Sequence, residues 1–100
     1  MVKHIVMWKL KSEALGNSKE ENASQIKEKL ESLNGKIDGM QKLEVGIDFS
    51  LTESSFDVVL YSEFNSKEDL ENYQNHPLHK AVMPFILECR SERKVVDYEV

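Results

Sequence analysis

The sequence predicts one α+β domain with four β-strands and two helical regions, on the basis of three observations. Four short stretches have apolar residues that alternate or occur on both faces, as β-strands require. Two longer stretches between them repeat apolar residues at offsets of three and four, which is typical of amphipathic helices. A chain of 100 residues has the length of a single domain, so we assign residues 1–100 to one unit.

The chain opens with a predicted strand over Val2–Leu10, whose even positions form one apolar face and whose odd positions are apolar in the middle. A polar connection, Ser12–Asn17, leads to a helix that begins at Ser18. Ser18 and Glu21 have the capping-box spacing, in which each side chain bonds the backbone N–H of the other residue. The apolar stripe of this helix is Ala23, Ile26, Leu30 and Leu33. The pair Asn34-Gly35 favours its end, because both residues tolerate left-handed backbone.

The second and third strands are predicted on either side of a polar hairpin loop, Ser50–Ser55. Before the loop, the odd positions from Gln41 to Phe49 are mostly apolar and alternate with mostly polar even positions, which predicts a half-buried strand. After the loop, the stretch Phe56–Phe64 is apolar on both faces. It predicts a strand that is covered on both sides.

The second helical region is predicted to begin at Ser66, which precedes acidic residues suited to a first helical turn. Pro77 divides the region, because it suits the start of a new helix and restricts His76 to extended backbone. We expect His76 to cap that new helix. Pro84 has no N–H to donate and is expected to kink or end it. The last strand is predicted over Lys94–Val100, which is rich in β-forming residues.

The order strand, helix, strand, strand, helix, strand predicts a ferredoxin-like βαββαβ fold, with both helical regions on one face of a four-stranded antiparallel sheet. The other face then carries a patch that a soluble monomer should not expose. The residues of this sheet-face patch are Ile5, Met7, Val59, Tyr61, Val96 and Tyr98. We therefore predict a homodimer in which two sheets pack face to face.

Composition and charge argue against several classes of partner. With 18 acidic and 13 basic residues the net charge is -5, which disfavours nucleic acid and anionic membrane surfaces. No apolar stretch approaches the roughly 20 residues that a membrane-spanning helix needs. The single Cys89 cannot form a disulfide within the chain and fits a reducing compartment, so a cytoplasmic protein is expected. We expect Cys89 to pack as a small core residue.

Three motifs follow one another along the chain. They are Val2-Lys3-His4-Ile5-Val6, then Tyr73-x-x-His76-Pro77-x-His79, then Val95-Val96-Asp97-Tyr98. Together they resemble the stress-responsive A/B barrel domain family, called Dabb, over nearly the whole chain. The resemblance implies a dimeric α/β barrel, with no required metal or cofactor. The spacing His76-x-x-His79 is also a weak metal motif by itself, so neither a metal nor a cofactor is predicted.

Most members of the family are uncharacterised or linked to stress, but a plant branch with the same Tyr and His spacing acts as polyketide cyclases in aldol chemistry. That resemblance implies that His79 is a general base and that Tyr73 orients or polarises a carbonyl oxygen. Asp97 could hold His79 in one tautomer. Arg90 and Arg93 occupy positions that are apolar in that branch, so a pocket here should be smaller or more polar. They could line an anionic pocket, or they could be solvated ends of the last strand.

Three hypotheses follow. The first is a dimeric Dabb-type protein, with a stress-related role and a small-molecule pocket between the sheet and the helices. The pocket residues would be His4, Val6, Trp8, Leu60, Val82 and Val95. The second is a cofactor-free cyclase or lyase that uses His79 and Tyr73, with Asp97 as orienting residue. The third, a cofactor-independent monooxygenase, has no support beyond the fold. Purely structural roles for Tyr73 in the core and for His4 across the sheet stay open, as does the substrate.

Overall fold

The computed structural model describes all residues from Met1 to Val100. In chain order its elements are β1 (Val2–Leu10), β2 (Glu13–Ala14), β3 (Asn17–Ser18), α1 (Lys19–Glu31), β4 (Met40–Ile47), β5 (Val58–Phe64), α2 (Lys67–Asn75), α3 (Pro77–Cys89) and β6 (Arg90–Glu99). Four strands form an antiparallel sheet in the order β4-β5-β1-β6. This is the predicted ferredoxin-like fold. None of the helices is long and apolar enough to span a bilayer.

One face of the sheet is buried beneath the helices. In β1 every even residue from Val2 to Leu10 is buried, and the odd residues are half-buried or exposed. The even residues pack against the apolar stripe of α1 and against buried side chains of α2 and α3, among them Tyr73 and Ile86. The period-two pattern of β1 therefore predicted the covered face correctly.

The opposite face of the sheet carries the predicted patch. In the strand register Ile5 lies across from Tyr61 on one side and from Val96 on the other, while Met7 lies across from Val59. Residues directly opposite one another point to the same face, so these side chains form one surface. Met7, Val96 and Tyr98 are exposed in the single chain, and Ile5, Val59 and Tyr61 are half-buried.

The start of α1 has the capping box that the sequence predicts. The backbone N–H of Glu21 donates to the Ser18 hydroxyl over 3.2 Å, and the backbone N–H of Ser18 donates to the Glu21 carboxylate over 3.3 Å. The helix ends at Glu31, with Ser32 as its C-terminal cap. Leu33 lies beyond the helix but is still buried in the core.

Side chains near the end of α1 occupy the free edge of β4. Lys27 Nζ donates to the Val45 carbonyl over 2.6 Å, and the Val45 N–H donates to the Glu31 carboxylate over 3.1 Å. The Asn34 side-chain amide donates to the Leu43 carbonyl over 2.9 Å. These bonds satisfy backbone groups that an edge strand would otherwise present to another chain.

Two loop predictions differ from the structure. The connection Ser12–Asn17 contains a two-residue hairpin, β2–β3, which turns through positive φ angles of 54° at Leu15 and 78° at Gly16. Phe49 was predicted to be part of the second strand, but β4 ends at Ile47 and Phe49 is 92% exposed. The alternation of apolar and polar residues in the sequence therefore continues to Phe49, although Ile47 is the last residue of β4 that pairs with a neighbouring strand.

The last third of the chain shows the outcome at Pro84 and one boundary that differs. Of the two effects expected at Pro84, a kink or an end of the helix, the end is not found, because α3 continues to Cys89. Pro84 and Lys80 are both exposed, so water can satisfy the Lys80 carbonyl that loses its helical donor. The last strand begins at Arg90 rather than at Lys94. Its charged first residues are tolerated because β6 is an edge strand that solvent reaches.

Candidate functional site

A cavity of about 330 Å³ lies between the helix-facing side of the sheet and the helices α2 and α3. Its lining residues are His4, Val6, Trp8, Leu60, Tyr73, Gln74, His79, Met83, Ile86, Leu87, Arg90 and Arg93. The cavity thus has a largely apolar wall and brings together two imidazoles, one phenol and two guanidinium groups. No group of three or more His, Cys, Asp or Glu side chains is arranged to hold a metal ion.

Most of the pocket residues named from the sequence lie along this cavity. His4, Val6, Trp8 and Leu60 form its sheet side. Val82 does not line it, because Val82 packs in the core. Val95 does not line it either, since it lies on the edge strand β6 and is 47% exposed.

The break between α2 and α3 shapes the helical wall of the cavity. His76 caps α3 as predicted, since its ring Nδ1 accepts a bond of 3.1 Å from the backbone N–H of Leu78. Pro77 occupies the first position of α3, where the missing N–H costs nothing. The break directs α3 so that His79 and Tyr73, the latter from the end of α2, meet with ring centroids 4.5 Å apart.

His79 is held in one tautomer by the backbone. Its Nδ1 lies 3.1 Å from the carbonyl oxygen of Gln74. A carbonyl can only accept, so Nδ1 carries the proton and Nε2 is left with a free lone pair. Burial lowers the pKa of His79, and the positive charge of Arg93 and the neighbouring rings of His4 and His76 lower it further, although the Gln74 carbonyl opposes this. The ring is therefore neutral near pH 7 and can accept a proton at Nε2.

Tyr73 is fully buried, and its hydroxyl has no hydrogen-bond partner within the chain. Its ring packs against Phe64 at a centroid distance of 5.1 Å and lies 6.3 Å from the ring of His4. Burial raises the pKa of Tyr73, so the phenol keeps its proton. An unpaired buried hydroxyl is costly, and this one is a donor that a ligand oxygen could use.

Asp97 contacts a different histidine from the one predicted. The carboxylate of Asp97 accepts from Nδ1 of His4, whereas the expected partner was His79. The reason is the strand register, which places His4 directly opposite Asp97 on neighbouring strands. Asp97 therefore orients His4, and the Gln74 carbonyl has the orienting role at His79. Asp97 itself does not line the cavity.

Several lining residues were not identified from the sequence. Met83, Ile86 and Leu87 come from α3, and Gln74 from α2. The three residues of α3 follow His79 at offsets of four, seven and eight, so they share one helix face with it. Extending that face from His79 would have found them. Gln74 acts through its backbone, which no residue type reveals.

The fold and the cavity together define a ferredoxin-like α+β protein with a cavity between its sheet and its helices. The chain belongs to the stress responsive A/B barrel domain family, Dabb, whose family model matches residues 2–100. The chain is 36% identical to a dimeric protein of unknown function and ferredoxin-like fold from Bacteroides fragilis NCTC 9343. That likeness has a TM-score of 0.88 and covers 99% of this chain and 95% of the other.

Two more distant structures share the fold. A dimeric ferredoxin-like protein of unknown function from Thermobifida fusca is 19% identical, with a TM-score of 0.84 and coverage of 99% of this chain and 90% of that one. The hydroxynitrile lyase of Passiflora edulis is 20% identical, with a TM-score of 0.81 and coverage of 99% and 92%. No functionally curated protein matches this chain significantly.

Proposed function

We propose that this protein binds a small carbonyl compound in the cavity and catalyses proton transfer at the carbon next to the carbonyl, as cofactor-free lyases and cyclases do. The observation that carries the proposal is the pairing of two groups in one cavity. His79 offers a free Nε2 lone pair on a neutral ring, and Tyr73 offers a hydroxyl that no protein group occupies. Together they supply a base and a hydrogen-bond donor.

The reaction needs each group in a specific state. Nε2 of His79 removes the proton from the carbon, and the electron pair moves to the carbonyl oxygen as an enolate forms. The Tyr73 hydroxyl donates to that oxygen and stabilises its growing charge. The Gln74 carbonyl, which accepts from Nδ1, favours the imidazolium that results. In an isomerisation the proton on Nε2 then goes to a different carbon of the substrate, and in a lyase step it goes to the leaving group that departs as the carbon–carbon double bond forms. In a ring closure the enolate carbon attacks a second carbonyl of the substrate, and the proton goes to the oxygen of that carbonyl.

His4 has a supporting part in this proposal. It lines the cavity and donates from Nδ1 to Asp97, so its own Nε2 is also free. It is nearly fully buried, and it lies farther from Tyr73 than His79 does, at 6.3 Å against 4.5 Å between ring centroids. We assign proton abstraction to His79, and to His4 the positioning of the ligand from the opposite wall.

Exchange of carbon-bound hydrogen tests the proposal. A panel of small ketones and keto acids is incubated with the protein in D₂O, and loss of the signal from the carbon next to the carbonyl is followed by ¹H NMR. His79→Gln should slow exchange by roughly 10²-fold or more, since a positioned base contributes that much. The matched control is His76→Asn, which removes a neighbouring imidazole but keeps a good helix cap. Wild-type rates in His79→Gln, or no exchange with any compound, would contradict the proposal.

We further propose that the chain forms a homodimer through the sheet-face patch. The patch is continuous in the strand register and is not covered by any element of the chain. The related proteins from Bacteroides fragilis and Thermobifida fusca are described as dimeric. Two such sheets packed face to face would bury about 1,600 Å², which is typical of a stable interface.

A charge placed in the patch tests the dimer. Met7→Lys buries an unpaired ammonium in the proposed interface and should give monomer or aggregate in sedimentation velocity. Leu78→Lys is the control, because Leu78 is 40% exposed against 38% for Met7 but belongs to α3, on the covered side of the sheet. If Met7→Lys sediments as a dimer like the wild type, the proposed interface is wrong.

A further inference from the structure

We infer that the cavity selects ligands that carry a carboxylate, which Arg90 and Arg93 bind at the β6 end of the cavity. The inference rests on the proposed function and names its substrate class, an apolar carbonyl compound with one anionic group. It is carried by the charges of the lining residues, by the lack of partners for both arginines and by the strand register.

The cavity has the opposite charge to the protein as a whole. The chain contains 18 acidic residues and has a net charge of -5, yet none of the lining residues is Asp or Glu. The permanently charged groups in the lining are Arg90 and Arg93. An anion that enters the cavity therefore meets two positive charges and no carboxylate in the lining.

Both arginines are free to bind a ligand. Neither forms a salt bridge or a side-chain hydrogen bond within the chain, whereas Lys19, Lys27 and Lys94 each lie within 4 Å of a carboxylate. Arg90 is half-buried and Arg93 is exposed, and neither guanidinium has a partner within the chain. A guanidinium binds a carboxylate or phosphate through two parallel hydrogen bonds.

The strand register places both arginines on the cavity side of the sheet. Arg93 lies across from Trp8 and Arg90 lies across from Leu10, two β1 residues that are buried beneath the helices. Residues that face one another across strands point to the same side. The arginines thus stand beside the sheet wall of the cavity, while His79 and Tyr73 form its helical wall.

The remaining lining defines the body of the ligand. Val6, Trp8, Leu60 and Ile86 present an apolar wall, and a volume of about 330 Å³ is at the small end of ligand sites. A ligand with a small apolar body, a ketone near His79 and a carboxylate near the arginines matches the three regions of the cavity. A bound carboxylate would also offset the positive charge of Arg93 that acts on His79.

A matched pair of probes tests the inference. The acid 4-oxo-4-phenylbutanoate and its neutral primary amide differ only in charge, and both carry a ketone with exchangeable neighbouring hydrogens. Affinities are measured by ¹H–¹⁵N NMR titration. The wild type should bind the acid about tenfold more tightly than the amide, as one charge-assisted bond provides. Arg93→Gln and Arg90→Gln should each weaken binding of the acid far more than binding of the amide, and so remove most of this preference. Lys36→Gln, which removes an exposed charge elsewhere, should keep it.

The outcomes separate this inference from the proposed function. Preferential binding of the acid without hydrogen exchange supports the carboxylate site and contradicts the proposed proton transfer. If the acid and the amide exchange hydrogen at the same rate and bind with the same affinity, the proposed proton transfer is supported and the carboxylate site is overturned. If the arginine variants lose the dimer in sedimentation but keep the acid preference, the arginines pair with a second copy of the chain and the inference is wrong.

Discussion

Nδ1 of His79 donates to the carbonyl oxygen of Gln74 over 3.1 Å, and this bond is a product of the break between α2 and α3. In a continuous helix the backbone N–H of Leu78 would donate a hydrogen bond to the Gln74 carbonyl. Here the Leu78 N–H donates to the ring of His76, and Pro77 has no N–H. The His79 imidazole therefore completes the end of α2. A local feature of helix capping thus fixes which ring nitrogen of His79 is bonded to the backbone and which is left free.

Tyr73→Phe should make the fold more stable and the protein less active. The hydroxyl is buried without a partner, so its removal should raise the free energy of unfolding by about 1 kcal/mol. Exchange of carbon-bound hydrogen should fall, because the donor to the carbonyl is lost. Urea unfolding at a fixed protomer concentration measures the first effect. Ser62→Ala is the comparison, since the buried Ser62 hydroxyl donates to the His4 carbonyl over 3.0 Å and its removal should lower stability. A destabilised Tyr73→Phe would mean that the hydroxyl has a partner.

Gly39 and Gly35 form a natural pair for measuring a steric contact. Both have positive φ angles, 83° and 78°, so alanine strains the backbone equally at either position. A Cβ on Gly35 would meet nothing within 4 Å, but a Cβ on Gly39 would lie 2.3 Å from Cγ of Asp69. Gly35→Ala should cost about 1 kcal/mol of unfolding free energy, and Gly39→Ala should cost roughly 1–3 kcal/mol more. Equal losses in chemical denaturation would refute the predicted contact with Asp69.

The hydrogen bonds of Lys27 and Glu31 to the backbone of Val45, which we call the β4-edge clamp, should weaken in acid. The hydrogen bond from Lys27, and next the one from the Val45 N–H, hold the pKa of Glu31 below its ordinary value of 4.5. The unfolded chain then binds more protons than the folded one below that value, so this contribution is complete above pH 4.5 and is lost as pH falls through the folded pKa. Both side chains are partly open to solvent, 43% for Lys27 and 34% for Glu31, which limits the effect to under about 1 kcal/mol.

Thermal unfolding between about pH 3 and 6 checks the role of Glu31. Glu31→Gln should lower the melting temperature at pH 6 and flatten its dependence on pH, because the variant has no carboxylate to protonate. Glu28→Gln, a change of the same kind at an exposed position of α1, should leave both unchanged. An unaltered pH profile in Glu31→Gln would show that the clamp adds no measurable stability.

The features that the sequence predicted correctly depend on neighbouring residues. Three such features are the capping box of Ser18 and Glu21, the cap at His76 and the alternation of β1. Each of them involves only residues that are a few positions apart in the sequence. Pattern and capping rules describe such short-range preferences well. The fold followed because the order of these elements leaves few ways to cover one sheet face.

The features that were missed depend on distant residues or on the backbone. The pairing of Asp97 with His4 joins residues 93 positions apart and depends on strand register, which side-chain patterns do not fix on an exposed edge strand. The partner of His79 is a backbone carbonyl, which every residue has. The start of β6 at Arg90 was missed because its first residues are charged and look like a loop.

The tautomer and pKa of His79 test the central claim most directly. Long-range ¹H–¹⁵N NMR of the histidine rings reports which nitrogen carries the proton and how each ring titrates. We predict the Nδ1–H tautomer for His79 with a pKa below 6.5, and the opposite tautomer for His76, whose Nδ1 accepts from Leu78. If His79 carries its proton on Nε2, its lone pair faces the Gln74 carbonyl instead of the cavity, and if it titrates well above pH 7, the ring is mostly protonated at neutral pH; either result contradicts the proposed chemistry.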